Sequence, residues 1–335
     1  MVSITFMERY SRQIITSKWD QNKIGKSTVL VAGIGSLGCL SSINFSLMGV
    51  GGIILIDYDT VEVSNLNRQL LFNEDDVGKL KSEVARTRLA RINPSVKIES
   101  YTTDIRSVET SVFQRADVIL DSLDSYEARR WINSTSVSLR KPLVHAGVYG
   151  WWGNVQVIIP YETPCLECQP LIPKSRLQKY CSPPGQKRRK IVKASSNEIP
   201  MINTTCMVIS GIQCQEALKI ILEEKRSLLR EYLFYDGYSE TFTRMEVDRN
   251  PNCIVCSEKY VLNENDFAIS DQEDVREAVS RLNILFGAQE PKIIYRSRVL
   301  EPAFKFEHYG ISDGDIIYVV SKSFKAPIKL KCKKI

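Results

Sequence analysis

Four cysteines of the chain form two C-x-x-C pairs, Cys165 with Cys168 and Cys253 with Cys256, which lie about a domain apart. Two such pairs have the spacing of a tetrahedral metal site in which each pair supplies two thiolates from one turn. A redox site would need only one pair, and four unrelated core cysteines would not share this spacing. The pattern therefore predicts a closed structural zinc site made by all four thiolates.

A glycine-rich loop, Gly33-Ile-Gly35-Ser-Leu-Gly38, follows an apolar run and precedes a segment of helical spacing. In this context G-x-G-x-x-G is typical of nucleotide binding, because the glycines permit a tight turn and the helix N-terminus attracts phosphate. Asp57 ends the next apolar run about twenty residues later, where a carboxylate would bind ribose hydroxyls. On its own this fingerprint would favour NAD, since most such loops belong to dehydrogenases.

The residues beyond Asp57 favour a triphosphate instead of NAD. Arg68 follows in the same segment, and Lys81 lies on the next predicted helix. Two cations there would suit a triphosphate better than the pyrophosphate bridge of a dinucleotide. Asp124 follows another predicted strand and could anchor Mg²⁺. For any single Asp or Lys a solvated salt bridge is the commoner explanation, so the prediction of ATP and Mg²⁺ depends on the whole set.

The order of the predicted elements indicates the fold class. From Thr28 to Ala146, short apolar runs rich in β-branched residues alternate with stretches of helical spacing. This alternation predicts an α/β fold with a doubly wound, Rossmann-like sheet. Residues 154–159 then alternate in the manner of an antiparallel strand. From Pro160 to Pro200, proline and basic residues become frequent and the periodicity fades, which predicts a loop or crossover.

Composition and charge exclude several classes of protein. With 335 residues, 43% hydrophobic and 25% charged, the chain has the composition of an ordinary soluble globular protein. It lacks an apolar run of membrane-spanning length and a signal-peptide pattern, so no membrane partner is expected. Nine cysteines without a secretory signal indicate a reducing, cytoplasmic location. A net charge of +6 is mild and lacks the localised basic footprint of nucleic-acid binders. It indicates a solvated surface that could favour an acidic protein partner.

A family resemblance is carried by the segment Asp57–Gln69, the opening Arg9-Tyr-Ser-Arg12-Gln13 and the two C-x-x-C pairs. Together these features resemble the ubiquitin-activating superfamily, whose bacterial members adenylate sulfur-carrier proteins in molybdopterin and thiamine synthesis. The resemblance covers roughly residues 7–257 and is specific, because independent motifs occur in the family's order. It departs at Ser125, where members often carry Asn after the magnesium-binding acid, although Arg129 still matches.

The resemblance implies which residues bind the nucleotide. They are Gly33, Gly35, Gly38, Asp57, Asp59, Asn65, Arg68, Gln69, Lys81 and Asp124. Asp57 would bind the ribose, and Asp124 would hold Mg²⁺. Arg68 and Lys81 would contact the phosphates. Arg12 would reach the triphosphate of a partner subunit, for which a symmetric homodimer is the economical arrangement.

Cys181 is the predicted nucleophile that would carry a thioester. It follows the first cysteine pair, and the cations of Lys187–Lys190 could lower the pKa of its thiol. Neither His145 nor His308 lies near it in sequence. Cys206 is the substitute, although its place beside an apolar helix favours a buried structural thiol.

The C-terminal segment carries a second resemblance. Lys292–Leu300 and His308–Val320 are similar to the later half of a ubiquitin-like β-grasp fold, which predicts such a domain over residues 265–322. The chain ends without Gly-Gly, so this domain would not itself be activated. In activating enzymes a similar domain recruits the conjugating enzyme, and a stabilising appendage is the alternative. Residues 323–335 are predicted as a frayed basic tail.

Together these observations predict a compact activating enzyme for a ubiquitin-like modifier that ends in Gly-Gly. It would adenylate the modifier with ATP, form a thioester on Cys181 and deliver the modifier to a conjugating enzyme. The alternatives are an adenylyltransferase for a sulfur carrier, an NAD-dependent oxidoreductase and a non-catalytic scaffold subunit. The predicted parts are an adenylation part at 1–160, a crossover with the catalytic cysteine at 161–200, the rest of the adenylation domain with the second cysteine pair at 201–260, the ubiquitin-fold domain at 265–322 and the tail at 323–335.

Overall fold

An eight-stranded sheet forms the centre of the computed structural model, which describes residues 8–168, 199–251, 253, 255–257, 268–286, 290–296, 298–321 and 328–334. Its strands are β1 (Thr28–Ala32), β2 (Gly52–Ile56), β3 (Lys97–Tyr101), β4 (Val118–Asp121), β5 (Leu143–Tyr149), β6 (Trp152–Ile158), β7 (Tyr232–Asp236) and β8 (Thr241–Met245). Their order in the sheet is β3-β2-β1-β4-β5-β6-β7-β8. The first five strands pair in parallel, and β6, β7 and β8 extend the sheet in antiparallel pairs. The prediction of a Rossmann-like α/β sheet is confirmed.

Helices cover both faces of this sheet. They are α1 (Ser11–Ile14), α2 (Gln21–Ile24), α3 (Ser36–Met48), α4 (Lys81–Ile92), α5 (Thr110–Gln114), α6 (Tyr126–Ser138) and α7 (Asn203–Ile221). Along β1, Val29 and Val31 face a core shared with α3, α4 and α7, whereas Leu30 and Ala32 face a core shared with α5 and α6. All four side chains are fully buried, which explains why the parallel strands are continuous apolar runs. Within the described residues, no helix has both the length and the apolar character that a membrane span requires.

The outer antiparallel edge of the sheet is open to solvent. All five residues of β8 are exposed. Phe242 on β8 packs against Tyr235 of β7 with ring centroids 4.7 Å apart and the ring planes tilted by 30°. Beyond the end of β7, the rings of Trp151 and Tyr238 meet edge to face at 5.8 Å. Exposed aromatic residues therefore lie on β8 and in the turns that follow β5 and β7.

The C-terminal residues build a second, smaller sheet. Its elements are β9 (Ala268–Ile269), α8 (Val275–Phe286), β10 (Lys292–Tyr295), β11 (Arg298–Val299), β12 (Ile316–Val320), β13 (Ile328–Lys331) and β14 (Lys333–Lys334). Four antiparallel strands have the order β11-β10-β12-β13, and β14 pairs in parallel with β9. Helix α8 shares a third core with this sheet, which includes Leu282, Ile293 and Ile317. We call the described residues within 268–334 the C-terminal unit.

The end of the chain differs from the prediction of a frayed tail. Residues 328–331 pair with β12, and residues 333–334 pair with β9. Leu330 and Cys332 are 1% and 2% exposed and belong to the third core. Apolar residues alternate with lysines here at the period of a strand. The high lysine content obscured that alternation, because it also matches a solvated tail.

Candidate nucleotide site and four-cysteine cluster

The glycine loop connects β1 to α3 at the carboxyl edge of the parallel strands. Gly33 has a φ of +87°, and a Cβ atom there would lie 2.8 Å from the backbone oxygen of Ser122. A Cβ atom on Gly38 would lie 1.9 Å from the oxygen of Gly33, so both positions exclude larger residues. Gly35 caps α3 without a side-chain hydrogen bond. The first N–H groups of this helix can therefore bind an anion.

The carboxylate of Asp57 fixes the glycine loop from the end of β2. Its Oδ2 accepts a hydrogen bond from the Ile34 N–H at 2.5 Å, and its Oδ1 accepts one from the Asp59 N–H at 2.8 Å. Burial raises the pKa of the Asp57 carboxyl, although these N–H groups and the nearby Lys81 favour the ionised form. Asp57 therefore lies directly against the loop that would carry the phosphates.

Lys81 is held in the same site by Asp59. The lysine is 7% exposed, and its Nζ donates to Asp59 Oδ2 at 3.0 Å. A buried ammonium requires such an anionic partner. The Asp59 side chain is 47% exposed, so solvent can stabilise it when the pair opens. Lys81 could thus exchange the carboxylate for a phosphate oxygen at little cost.

The segment that follows Asp59 supplies further polar atoms to the site. Arg68 Nη1 donates to the backbone oxygen of Ser64 at 2.6 Å, and Asn65 is buried beside it. Among the described residues, the buried atoms Arg68 Nε, Gln69 Oε1 and Ser122 Oγ have no hydrogen-bond partner. Burying polar atoms without partners is costly. These atoms therefore fit a polar ligand such as ATP beside the glycine loop.

The loop after β4 carries Asp124 at the same edge of the sheet. Asp124 is exposed. Arg129 Nε donates to the backbone oxygen of Leu123 at 2.7 Å, which fixes the loop. Ser125 Oγ accepts a hydrogen bond from the Ala128 N–H at 3.1 Å and so forms the N-cap of α6. The departure from the family pattern at Ser125 thus keeps a helix-capping residue, and Asp124 remains open to solvent and to a cation.

A buried pair that the sequence analysis missed supports this loop. Asp121 Oδ2 lies 2.7 Å from His145 Nδ1, and Asp121 Oδ1 accepts a hydrogen bond from the Leu123 N–H at 3.1 Å. Burial lowers the pKa of His145, so at neutral pH the uncharged ring donates its Nδ1–H to the carboxylate. The two residues stand opposite each other on β4 and β5. Only the pairing of these strands brings them together, so the sequence signal was weak.

Arg12 does not lie at the glycine loop. It lies on α1, where the neighbouring Gln13 Nε2 donates to the backbone oxygen of Met48 at 2.9 Å. Met48 is the last residue of α3, whose first residue follows the glycine loop. A helix of this length spans about 20 Å. The exposed Arg12 is therefore near the opposite end of α3 from the glycine loop.

The four predicted zinc ligands lie together and are buried. The Sγ atoms of Cys165, Cys168, Cys253 and Cys256 all lie within 4.8 Å of one another. Three of the separations are 3.5, 3.9 and 3.2 Å. Zinc–sulfur bonds of about 2.3 Å in a tetrahedron place sulfur atoms about 3.8 Å apart. The cluster therefore has the size that a zinc ion requires.

The close packing of these four thiols also affects their protonation. Hydrogen bonding from Cys168 and its neighbours raises the pKa of Cys165 far above its ordinary range. Hydrogen bonding from Cys165 lowers the pKa of Cys168 to about 7. Four thiols this close cannot all ionise unless a positive ion balances them. The donor set is thus suited to a divalent metal.

Helix α6 and a nearby arginine hold the two cysteine loops in place. Asn133 Oδ1 accepts a hydrogen bond from the Leu166 N–H at 3.1 Å, and Arg130 forms an ion pair with Glu167. On the other loop, Arg249 Nη2 donates to the backbone oxygen of Cys256 at 2.6 Å. Such surrounding contacts orient the ligands of a metal site.

A family model matches most of the chain. The model is described as the ThiF family, and it covers residues 10–255. The chain belongs to the ThiF family. This matched region contains the glycine loop and the first three of the four clustered cysteines, and it ends before the C-terminal unit.

Several relatives of this ThiF-family chain are adenylyltransferases by name. A sulfur carrier protein adenylyltransferase of Thermus thermophilus is 32% identical over 263 residues, which cover 76% of this chain and 92% of the relative. The molybdopterin-synthase adenylyltransferase of Escherichia coli is 32% identical over 257 residues, covering 75% and 97%. A solved structure of E. coli MccB with ATP is 26% identical with a TM-score of 0.61 and covers 74% of each chain.

The prediction of a conjugation enzyme that forms a thioester is wrong. The names of the relatives match the sulfur-carrier alternative instead. Cys181, the predicted nucleophile, lies outside the described residues. The substitute, Cys206, is 0% exposed, and burial raises the pKa of its thiol to about 11. A buried, protonated thiol of this kind is a poor nucleophile, so Cys206 is a core residue of the ThiF-family domain.

Proposed function

We propose that this ThiF-family chain is an adenylyltransferase that uses ATP to activate the C-terminal carboxylate of a β-grasp sulfur-carrier protein ending in Gly-Gly. The observation that carries the proposal is the set of buried polar atoms of Arg68, Gln69 and Ser122 that have no hydrogen-bond partner among the described residues, with Ser122 lying against Gly33 of the glycine loop. The activities named for the relatives support it, as does the MccB structure with ATP.

In the proposed reaction, a carboxylate oxygen of the carrier forms a bond to the α-phosphorus of ATP. The bond from that phosphorus to the bridging oxygen breaks, so the products are an acyl-adenylate and pyrophosphate. Arg68, Lys81 and the N-terminus of α3 would stabilise the negative charge that collects on the departing phosphates. Mg²⁺ bound at Asp124 would neutralise further charge on the leaving pyrophosphate.

The test is exchange of labelled pyrophosphate into ATP. Exchange requires the adenylation step to run in both directions, so we expect it only when a carrier with an intact Gly-Gly end is present. A carrier that lacks its last glycine is the control and should give no exchange. Absence of exchange with every Gly-Gly β-grasp protein tried would contradict the proposal, and so would turnover of a nicotinamide cofactor.

The exposed aromatic pair Trp151 and Tyr238 is the surface we propose for the carrier. The two side chains are 45% and 78% exposed. They follow the ends of β5 and β7, which run in the same direction as β1, so they lie at the same edge as the glycine loop. In the sheet, β5 lies two strand spacings from β1 and β7 lies four, which correspond to about 10 and 19 Å. An extended tail of about three to six residues would span these distances.

Replacing this pair, as Trp151→Ser with Tyr238→Ser, is expected to raise the KM for the carrier about 10-fold or more, because exposed aromatic residues commonly dominate binding energy. The kcat of exchange should change little, since neither side chain reaches the phosphates. Phe304→Ser is the matched control, because Phe304 is 41% exposed on the C-terminal unit. An unchanged KM in the double variant would exclude this docking surface.

We also propose that Cys165, Cys168, Cys253 and Cys256 hold one structural Zn²⁺. The Cys253→Ser variant is expected to lose its zinc, from about one ion per chain to almost none, and to melt at a lower temperature. Elemental analysis and thermal unfolding measure the two effects. Cys214→Ser is the control, because Cys214 is also buried but lies outside the cluster. Wild-type protein without zinc would contradict the proposal.

We infer that the C-terminal unit is a variant of the β-grasp fold. Helix α8 is followed by β10, β11 and β12, with β12 beside β10, which supports this inference. The strand on the other side of β12 comes from the end of the chain and runs antiparallel to it. Strand β13 is held in the sheet by its pairing with β12 over residues 328–331.

A further inference from the structure

One face of the C-terminal sheet packs against the adenylation part of the chain. Ile294, Tyr318 and Lys329 stand opposite one another on β10, β12 and β13. Their neighbours, such as Ile317, point to the core under α8, so this row lies on the other face of the sheet. The Tyr318 hydroxyl forms a hydrogen bond with Ser138 Oγ at the end of α6.

The row is covered by this contact. Ile294 is 6% exposed although it does not belong to the core under α8. Burial raises the pKa of the Tyr318 hydroxyl to about 12. A second contact joins Arg298 to Glu109 at 3.1 Å, but both side chains are exposed, so it adds little stability. The binding of the two parts therefore depends on the covered row.

Lys329 brings a positive charge to the four-cysteine cluster. Burial lowers the pKa of its ammonium, and the thiolates of Cys165, Cys256 and Cys253 act in the opposite direction because they attract its positive charge. Helix α6 explains the proximity, since it contacts Tyr318 through Ser138 and the first cysteine loop through Asn133.

The charge balance of the cluster gives this lysine a role. A zinc ion with four thiolates carries a net charge of about −2. Arg249, which lies outside the C-terminal unit, donates to the backbone oxygen of Cys256 and balances about half of that charge. A buried charge that is not balanced is costly. Lys329 supplies the other positive charge from the C-terminal unit.

We propose that the C-terminal unit stabilises the zinc site, because Lys329 neutralises negative charge on the zinc–thiolate cluster. Zinc binding and docking of the unit against the rest of the chain would then stabilise each other. Such coupling is reciprocal: whatever docking adds to the affinity for zinc, zinc adds to docking. The inference rests on the proposed zinc site and is independent of the adenylation reaction.

The first measurement is the rate at which zinc leaves the full-length protein in excess chelator, followed with a colorimetric zinc indicator. Lys329→Met keeps an apolar stem but removes the charge, and we expect it to release zinc about 10-fold faster than wild type. Lys292→Met is the matched control, because Lys292 is an exposed lysine on the same sheet and its loss should leave the rate unchanged. Equal rates in Lys329→Met and wild type, or equal acceleration by both variants, would overturn the proposal.

The second measurement is hydrogen exchange of β12 and β13 in zinc-loaded and zinc-free protein. Removing zinc should speed exchange in these two strands and at Ser138, while β1 and β2 should stay protected. Unchanged protection of β12 and β13 would show that docking does not depend on zinc and would overturn the coupling. Failure of pyrophosphate exchange would contradict the proposed reaction but would leave both of these measurements valid.

Discussion

Replacing Lys81 with Met is expected to slow carrier-dependent pyrophosphate exchange by about 100-fold or more. A group positioned on charge that develops in the transition state typically contributes about 10²–10³ in rate. Lys81 is buried beside the glycine loop and is paired with Asp59. Methionine keeps most of the side-chain volume, and the half-exposed Asp59 stays solvated after the change. The decrease in exchange rate should therefore reflect the missing charge, and the thermal unfolding midpoint should change little.

The control for this experiment is Lys97→Met. Lys97 is the first residue of β3, at the amino edge of the parallel strands, and its side chain is 75% exposed. Exchange by this variant should equal that of wild type. Arg68→Gln should slow exchange by about as much as Lys81→Met, since Arg68 supplies the other proposed phosphate contact. If both Lys81→Met and Arg68→Gln keep most of the exchange rate while folded, the proposed phosphate site is wrong.

The parts of the fold that sequence reasoning could predict are those with local patterns. The glycine loop requires particular residues at fixed spacing, because Gly33 has a positive φ and Gly38 packs on its oxygen. The buried parallel strands are continuous apolar runs, and the cysteine pairs have the spacing of metal ligands. Each of these features is decided by a few neighbouring residues, so one sequence is enough to detect it.

The parts that could not be predicted depend on contacts between distant residues. Asp121 and His145 meet only because β4 and β5 pair in one particular register. Strand β13 occupies its place because Leu330 fits a core built from other elements, although its lysines suggested a solvated tail. The contact between Tyr318 and Ser138 joins residues 180 positions apart. No local spacing records such contacts, so the covered face of the C-terminal sheet had no sequence signal.

Prediction of the reaction from the sequence was limited for a different reason. The nucleotide residues and the C-terminal resemblance were compatible with either adenylation alone or adenylation followed by a thioester. The two reactions would share the glycine loop, Asp57 and the cations around it. The match to the ThiF family over residues 10–255, together with the names of the relatives, favoured adenylation alone. A small additional domain was therefore a poor guide to the chemistry, and its hydrogen bond to Ser138 on α6 instead points to a role in stability.

Mixing two inactive variants, Arg12→Ala and Lys81→Met, is expected to restore about one quarter of the wild-type exchange rate. Arg12 lies near the opposite end of α3 from the glycine loop, so we propose that it completes the site of the other subunit in a homodimer. After subunits reassort at equal amounts, half of the dimers carry one copy of each variant. In those dimers one of the two sites has both Arg12 and Lys81 intact. The recovered rate is measured by the same exchange assay, with different affinity tags to count the mixed dimers.

The matched control is a mixture of Lys81→Met with Arg68→Gln. Both residues belong to the same subunit's site, so every mixed dimer would contain two damaged sites and no activity should return. Recovery of activity in this control would mean that the assay does not distinguish residues of one subunit's site from residues contributed by the other subunit. If mixed dimers form but Arg12→Ala with Lys81→Met stays inactive, Arg12 does not act across the interface. An Arg12→Ala protein with wild-type activity would remove it from the reaction altogether.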